Sequence, residues 1–208
     1  MDIDLAEVQK FVALGYTFES HAPGTYGWPA WWIEPAECLI PSGETVQIPP
    51  DLEAVGIGPE LTVVIGEELY RPTSEAVSDA IAGFTVSNDV SAVGDWPGHP
   101  HETTLNRAYK MFPTFRPTLT EGVEMSLEDA NHVEIEAFID GESVGSAAMS
   151  EARWSVSEMI AEVASVMPLH PGDLIALGEP ISGTVEDSAT VTCRIDGVGE
   201  LTNPVQRV

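Results

Sequence analysis

The stretch GFTVSNDVSA (residues 83–92) alternates as a buried strand does, then sets Asn88 beside Asp89. Alternation puts Thr85, Ser87 and Asp89 on one face and Phe84, Val86 and Asn88 on the other. A carboxylate near the end of an apolar strand needs a partner, because burying an unpaired charge is costly. A turn-closing or Asn-paired aspartate is the simplest answer. A second acid, Glu60, follows Pro59 in GPELTVVIGEE, where it reads as a solvated acid at the start of a strand or as a functional group. Asp95, His99, His101 and Glu102 crowd the loop DWPGHPHE, whose imidazoles and carboxylates could recruit a transition metal, although the spacing closes no ligand set.

Lysine is scarce, and that makes one of its positions informative. Eight basic residues face 34 acidic ones, for a formal net charge of −26, and only Lys10 and Lys110 are lysines. The acids are spread along the chain, so they are not an acidic tail. A folded domain with this charge repels itself in dilute buffer. At about 1 M salt the Debye length falls to roughly 3 Å and the repulsion is screened. The composition therefore reads as that of a salt-adapted, haloarchaeal-type protein of the cytoplasm, the alternative being an unusually acidic mesophilic one. Without a basic stripe to neutralise phosphates, nucleic-acid binding is not expected. No apolar run approaches 18 residues, so no membrane helix is expected either. Cys38 and Cys193 read as reduced thiols.

At 208 residues, 43% of them hydrophobic, the chain reads as one domain, 1–208, with a sizeable core. FVALGYTF reads as a first strand and CLIPSGETVQIPP as a hairpin turning at Ser42-Gly43. PTSEAVSDAIAG is expected to form a short helix begun by Thr73 or Ser74 and stopped by Gly83. HVEIEAFIDGESVGSA predicts a hairpin at Asp140-Gly141. In SVSEMIAEVASVM, Ser155 and Glu158 form a capping box, with Val156, Met159, Ile160 and Val163 as the apolar face. PGDLIALG and ATVTCRIDGVGEL close the chain as strands. Residues 93–118 are the longest irregular stretch, of the kind that usually carries function. The class is α+β and β-rich.

The order of these pieces resembles the fumarylacetoacetate hydrolase family. Its E-x-E-L-x-V-V-I-G strand, G-[YF]-x-x-x-N-D-[VW]-[ST]-A strand, K-x-F-[DT]-x-F segment, amphipathic helix and P-G-D-x-I-x-x-G-x-P run have counterparts here. They are GPELTVVIGEE, GFTVSNDVSA, YKMFPTF, SVSEMIAEVAS and PGDLIALGEP, with GVGELTNPV similar to the closing strand. The likeness covers residues 36–205 as a core, leaving 1–35 as a divergent segment that could serve as a lid. The resemblance implies a mixed β-sheet roll or sandwich with a few short helices. It also implies a divalent cation, usually Mg²⁺ with Mn²⁺ or Ca²⁺ as substitutes, held by three carboxylates. Residues i and i+2 of a strand share a face, so the E-x-E pair can reach one ion. Hard oxygen ligands suit Mg²⁺ and its chelation by a small anionic 2-oxo or 1,3-dioxo acid. The implied chemistry is carbon–carbon bond hydrolysis, or decarboxylation or hydration of the same substrates, with the cation stabilising enolate charge.

Carried over residue by residue, the resemblance makes Glu60 and Asp89 metal ligands. Lys110 falls at the active-site lysine, where an ammonium would meet a substrate carboxylate or an oxyanion. His21, in LGYTFESHAPG, is the candidate proton carrier, two residues later than the family's lid histidine and without its Glu. The first acid of E-x-E is absent, because Gly58 stands there. Glu34 in WWIEP sits where related chains often carry Lys, and SAVGDW replaces S-A-R-D. The 93–118 loop could close as a lid that lends a histidine. Trp28, Trp31 and Trp32 read as core or dimer contacts, and the resemblance implies a homodimer. The rival reading is a catalytically silent homologue that binds a carboxylate or serves assembly, and Gly58 is its main support.

Overall fold

The run AVGIGPELTVVI forms β5 (Ala54–Ile65), paired antiparallel along its length with β6 (Ile81–Val93). The structure, a computed structural model, describes residues 7–21, 24, 27–93, 114–115 and 125–208. The β5–β6 register sets Ala54 against Val93 and Gly58 against Asp89, with an irregularity between Val64 and Ile65. Opposed residues share a face and alternate residues do not. Val55, Ile57, Leu61 and Val63 with Phe84, Val86, Val90 and Ala92 therefore form an apolar face, and all eight belong to the main core. That face packs on a second sheet.

Among the described residues the first sheet has eight strands. Its order is β2 (Ala30–Glu34), β1 (Phe11–Gly15), β10 (Leu174–Ala176), β5, β6, β7 (Thr114–Phe115) and β3 (Ile40–Pro41), with β11 (Gly183–Val185) also on β5. The second sheet is ordered β4 (Val46–Ile48), β13 (Gly199–Arg207), β12 (Ala189–Ile195), β8 (Glu134–Ile139) and β9 (Glu142–Ala148). Both sheets are mixed: β1–β10, β3–β7 and β4–β13 run parallel, the other pairs antiparallel. This is the β-rich α+β architecture expected from the sequence.

Local signals with strong chemistry are realised. Asp140 and Gly141 turn the β8–β9 hairpin with φ of 52° and 81°, the left-handed pair that an Asp-Gly turn supplies. Helix α3 (Val156–Val166) starts on the Ser155–Glu158 capping box, and Val156, Met159, Ile160 and Val163 are fully buried. Two other short helices are α1 (Ser74–Asp79), capped by Thr73, and α2 (Leu127–Ala130).

Two expectations are corrected. Helix α1 ends at Asp79, not Gly83, because the Ala80 carbonyl takes the Gly66 N–H and the chain is drawn into β6 from Ile81. Residues 40–48 are not a hairpin: β3 and β4 join different sheets. The turn at Ser42-Gly43 exists, but it is pinned to β13. Ser42 Oγ accepts the Thr202 N–H at 3.1 Å, and the Asn203 amide donates to the Pro41 and Glu44 carbonyls at 2.9 and 2.8 Å.

Asp173, of the P-G-D run, is fully buried and ties β1 to β10. It accepts the backbone N–H groups of Lys10 (3.1 Å) and His170 (2.7 Å), and its Oδ2 lies 2.6 Å from Lys10 Nζ. One of the two lysines is thus committed to structure. Removing one partner of a buried pair costs about 3–5 kcal/mol, so Asp173→Ala should lower unfolding stability by that amount in urea titration. Cys38 and Cys193 are buried and are not joined in a disulfide. Burial, then the charge of Glu60, pushes the Cys193 thiol well above its ordinary value near 9.0. Above that pH the unfolded chain releases a proton that the folded chain keeps, so stability falls as pH rises, by about 1.4 kcal/mol per pH unit for this thiol. Denaturation midpoints between pH 9 and 10.5 should show the fall, and Cys193→Ala should reduce it to the share of Cys38, whose thiol is also raised by burial and then by the charges of Glu37 and Glu34.

Candidate active site

The other face of the β5–β6 ribbon is polar. Gly56, Gly58, Glu60 and Thr62 lie on it opposite Ser91, Asp89, Ser87 and Thr85. Glu60 is 2% exposed and Asp89 6%, while Thr62, Thr85 and Ser87 are fully buried. The Thr62 and Ser87 hydroxyls share a hydrogen bond of 2.6 Å. Glu60 sits diagonally across from Asp89, since Glu60 opposes Ser87 and Gly58 opposes Asp89. Towards β10 and β1 the same face becomes apolar, with Val64, Leu174, Ala176, Phe11 and Ala13 in a second small core that Trp32 covers. A dry wall thus flanks the two acids on one side.

Glu60 is not a solvated acid at the start of a strand, because β5 begins six residues earlier at Ala54 and closes over it. Pro59 is accommodated mid-strand by a gap in the neighbouring ladder. β11 covers β5 only at residues 55–57 and β10 only at 62–64. Leu61 gives its carbonyl to the Leu177 N–H across that gap, so the backbone groups of 59 and 61 point into it. A proline there forfeits no strand pairing. Asn88 turns to the core side, where its Oδ1 accepts the Gly58 N–H at 2.9 Å. The Asn of the Asn-Asp step therefore steadies the backbone opposite Asp89.

Residues 177–182 bridge β10 and β11 across this gap and bring Glu179 to Gly58. A Cβ at position 58 would lie 2.7 Å from Glu179 Cδ and 2.8 Å from Glu179 Cβ, with the carboxylate oxygen Oε2 closer still. Glu179 occupies the volume that any side chain at 58 would need. Gly178 reaches this path with φ +93° and packs against Thr17, and Ser20 Oγ donates to the Pro180 carbonyl at 3.2 Å. The short 3-10 turn Glu19–His21 is thereby tied to the Glu179 loop.

Sequence reasoning missed Glu179, although an acid in the G-x-P run beside a glycine at 58 is a signal once the two are read as a pair. Glu34 is buried on β2, where its Oε1 accepts the Trp32 Nε1–H at 2.9 Å. Trp28 is exposed, and Trp31 packs on the main core. Lys110 and the Asp95, His99, His101 and Glu102 cluster lie outside the described residues, as does most of 93–118. The chain is described again at Thr114, which pairs with Asn88, next to Asp89. Among the described residues no helix is long and apolar enough to cross a membrane.

The fold and site have known counterparts. The family model for the fumarylacetoacetate hydrolase C-terminal domain matches residues 6–206, and the chain belongs to that family. A maleylpyruvate hydrolase from Sphingobium sp. SYK-6, solved in complex with Mn²⁺ and pyruvate, superposes with a TM-score of 0.81 at 25% identity, covering 96% of this chain and 71% of that one. The mitochondrial oxaloacetate tautomerase of Arabidopsis thaliana is 25% identical over 203 residues, 95% of this chain and 91% of the relative. The homoprotocatechuate bifunctional isomerase/decarboxylase of Escherichia coli is 28% identical over 178 residues, 85% of this chain but 41% of the relative. Members of the family thus include hydrolases, isomerases and decarboxylases acting on small oxo acids.

The donor set fits a hard divalent cation, being carboxylates and hydroxyls on one buried face. Among the described residues no three His, Cys, Asp or Glu side chains are grouped so as to hold an ion as they stand. Ionised carboxylates repel one another, and a cation is what offsets that repulsion. The packing of Glu179 against Gly58 gives a steric test independent of any ion. Gly58→Ala should cost about 1–3 kcal/mol by overpacking, and most of that loss should be recovered in a Glu179→Gly background. Additive losses in denaturant titration would show that Glu179 does not fill the space.

Proposed function

We propose that this chain is a divalent-metal-dependent enzyme acting on a small 2-oxo or 1,3-dioxo carboxylic acid, with Glu60 and Asp89 as ligands to the cation. The observation that carries this reading is the placement of both carboxylates, buried and diagonal, on one face of the β5–β6 ribbon. Its support from relatives is the Mn²⁺ and pyruvate held by the Sphingobium hydrolase. Mg²⁺ is the cation expected here, and Mn²⁺ the practical probe.

When bound, the cation would polarise the oxo and carboxylate oxygens of the substrate and stabilise the negative charge that develops on bond cleavage. The chain's own residues do the rest. The Thr62–Ser87 hydroxyl pair and the apolar wall of Val64, Ala176 and Trp32 exclude water from one flank, which strengthens every charge interaction there. Lys110 would neutralise the substrate's anionic group. Three residues separate it from Thr114, a path of at most about 14 Å, and Thr114 pairs beside Asp89. His21 would move the proton, on a turn that Ser20 fastens to the loop of Glu179. Carbon–carbon bond hydrolysis is the leading reaction, with decarboxylation or hydration of the same acids behind it, since one fold hosts all of them.

Thermal melting with and without Mn²⁺ tests the metal. At a hundred times Kd a bound ion adds about 2.7 kcal/mol, which for a chain of this size raises Tm by about 5–10 °C. Asp89→Asn should abolish the rise, and a rise that persists unchanged in that variant would remove Asp89 as a ligand. For the anion, Lys110→Met should raise the KM for a 2-oxo acid while leaving the Mn²⁺-induced melting shift intact. Loss of the shift instead would assign Lys110 to the fold.

A further inference from the structure

We infer that Glu179 supplies the third carboxylate of the metal site, relocated from strand β5 to the loop that crosses its interrupted edge. This rests on the metal-dependent reading above and adds a residue to it. The resemblance calls for an acid at position 58, on the face of Glu60 and opposite Asp89, and the chain has Gly58 there. Glu179 Cβ and Cδ lie 2.8 and 2.7 Å from the point where a side chain at 58 would begin. Positions 58 and 179 are therefore rival occupants of one volume: a side chain on the strand excludes the acid on the loop, and the reverse.

What fills the volume is itself a carboxylate. Opposed Cβ positions in a sheet lie about 4.5–5.5 Å apart, so the Glu179 carboxyl group is an immediate neighbour of Asp89. A glutamate on a surface loop ordinarily turns its charge to water. Here Glu179 is half-buried and its carboxyl group lies over the β5 backbone at Gly58, the residue opposite the buried Asp89. The loop is also held in place from the far side, by Gly178 against Thr17 and by Pro180 to Ser20. Glu179 and Asp89 come from either side of position 58, on the face that bears Glu60; the three are not grouped to hold an ion as they stand, and a divalent cation would be the counter-charge that draws them together. A glycine at 58 and an acid at 179 thus explain each other: the loss on the strand and the gain on the loop are one substitution in space.

The test is Mn²⁺ binding to the full chain, read by calorimetry and by the EPR spectrum of the bound ion, with circular dichroism melts showing that each variant is folded. Glu179→Gln should weaken Mn²⁺ binding by at least about tenfold, the lower end of what even outer partners of a metal contribute. Gly58→Glu combined with Glu179→Gly should regain wild-type affinity, while Glu179→Gly alone should not. Unchanged affinity in Glu179→Gln, with binding lost in Asp89→Asn, would overturn the role of Glu179 and leave the metal reading standing. No Mn²⁺ binding by the wild-type chain would overturn both. A folded swap variant that stays weak would show that Glu179 acts through charge at a distance and not as a ligand. Should the swap variant not fold, the EPR spectrum of Glu179→Gln decides: an altered spectrum supports ligation, and an unaltered one rejects it.

Discussion

The register between β5 and β6 is the constraint on which the molecule depends. Side chains on a strand alternate with a period of two, so a slip of one residue would exchange the two faces of the ribbon. In the observed register Ile57 opposes Val90 and Leu61 opposes Val86, which seals the main core against the second sheet. The same register leaves Gly58, Glu60 and Thr62 opposite Asp89, Ser87 and Thr85. Apolar packing on one side therefore fixes polar placement on the other. Apolar burial on the core face helps to order the acids on the other, and this is how a buried polar face is sustained despite its desolvation cost.

The edge of β5 is where this ribbon departs from a regular sheet. Two short strands cover its ends and leave the middle open, and three features use the opening. Pro59 sits where its lost N–H has no ladder partner, the Leu61 carbonyl is taken by the incoming loop, and Glu179 arrives over Gly58. Asn88 repairs the backbone at the same level by accepting the Gly58 N–H. Asp173 anchors the start of the strand that feeds this loop, through Lys10 and His170. Structural and chemical groups alternate along a few residues, and the pairing pattern keeps them apart.

Much of this was legible in the sequence wherever the signal was local. The Ser155–Glu158 box and the Asp140-Gly141 turn are complete within a few residues, and both form as expected. The shared face of Thr85, Ser87 and Asp89 follows from alternation alone. Reading failed where distant chain decides. Ser42-Gly43 has good hairpin chemistry, but Thr202 and Asn203 hold that turn and send its two arms into different sheets. The stretch Ala80–Gly83 continues a helical pattern, yet pairing of Ile81 with Ile65 takes it into β6. Glu179 was invisible for the same reason: its value depends on a missing side chain on another strand, and no window of sequence contains both.

The fastening of Ser20 to Pro180, together with the contact of Thr17 on Gly178, has a mechanical meaning. The turn that bears His21 and the loop that bears Glu179 are latched along a common seam, and a displacement of either strains the other.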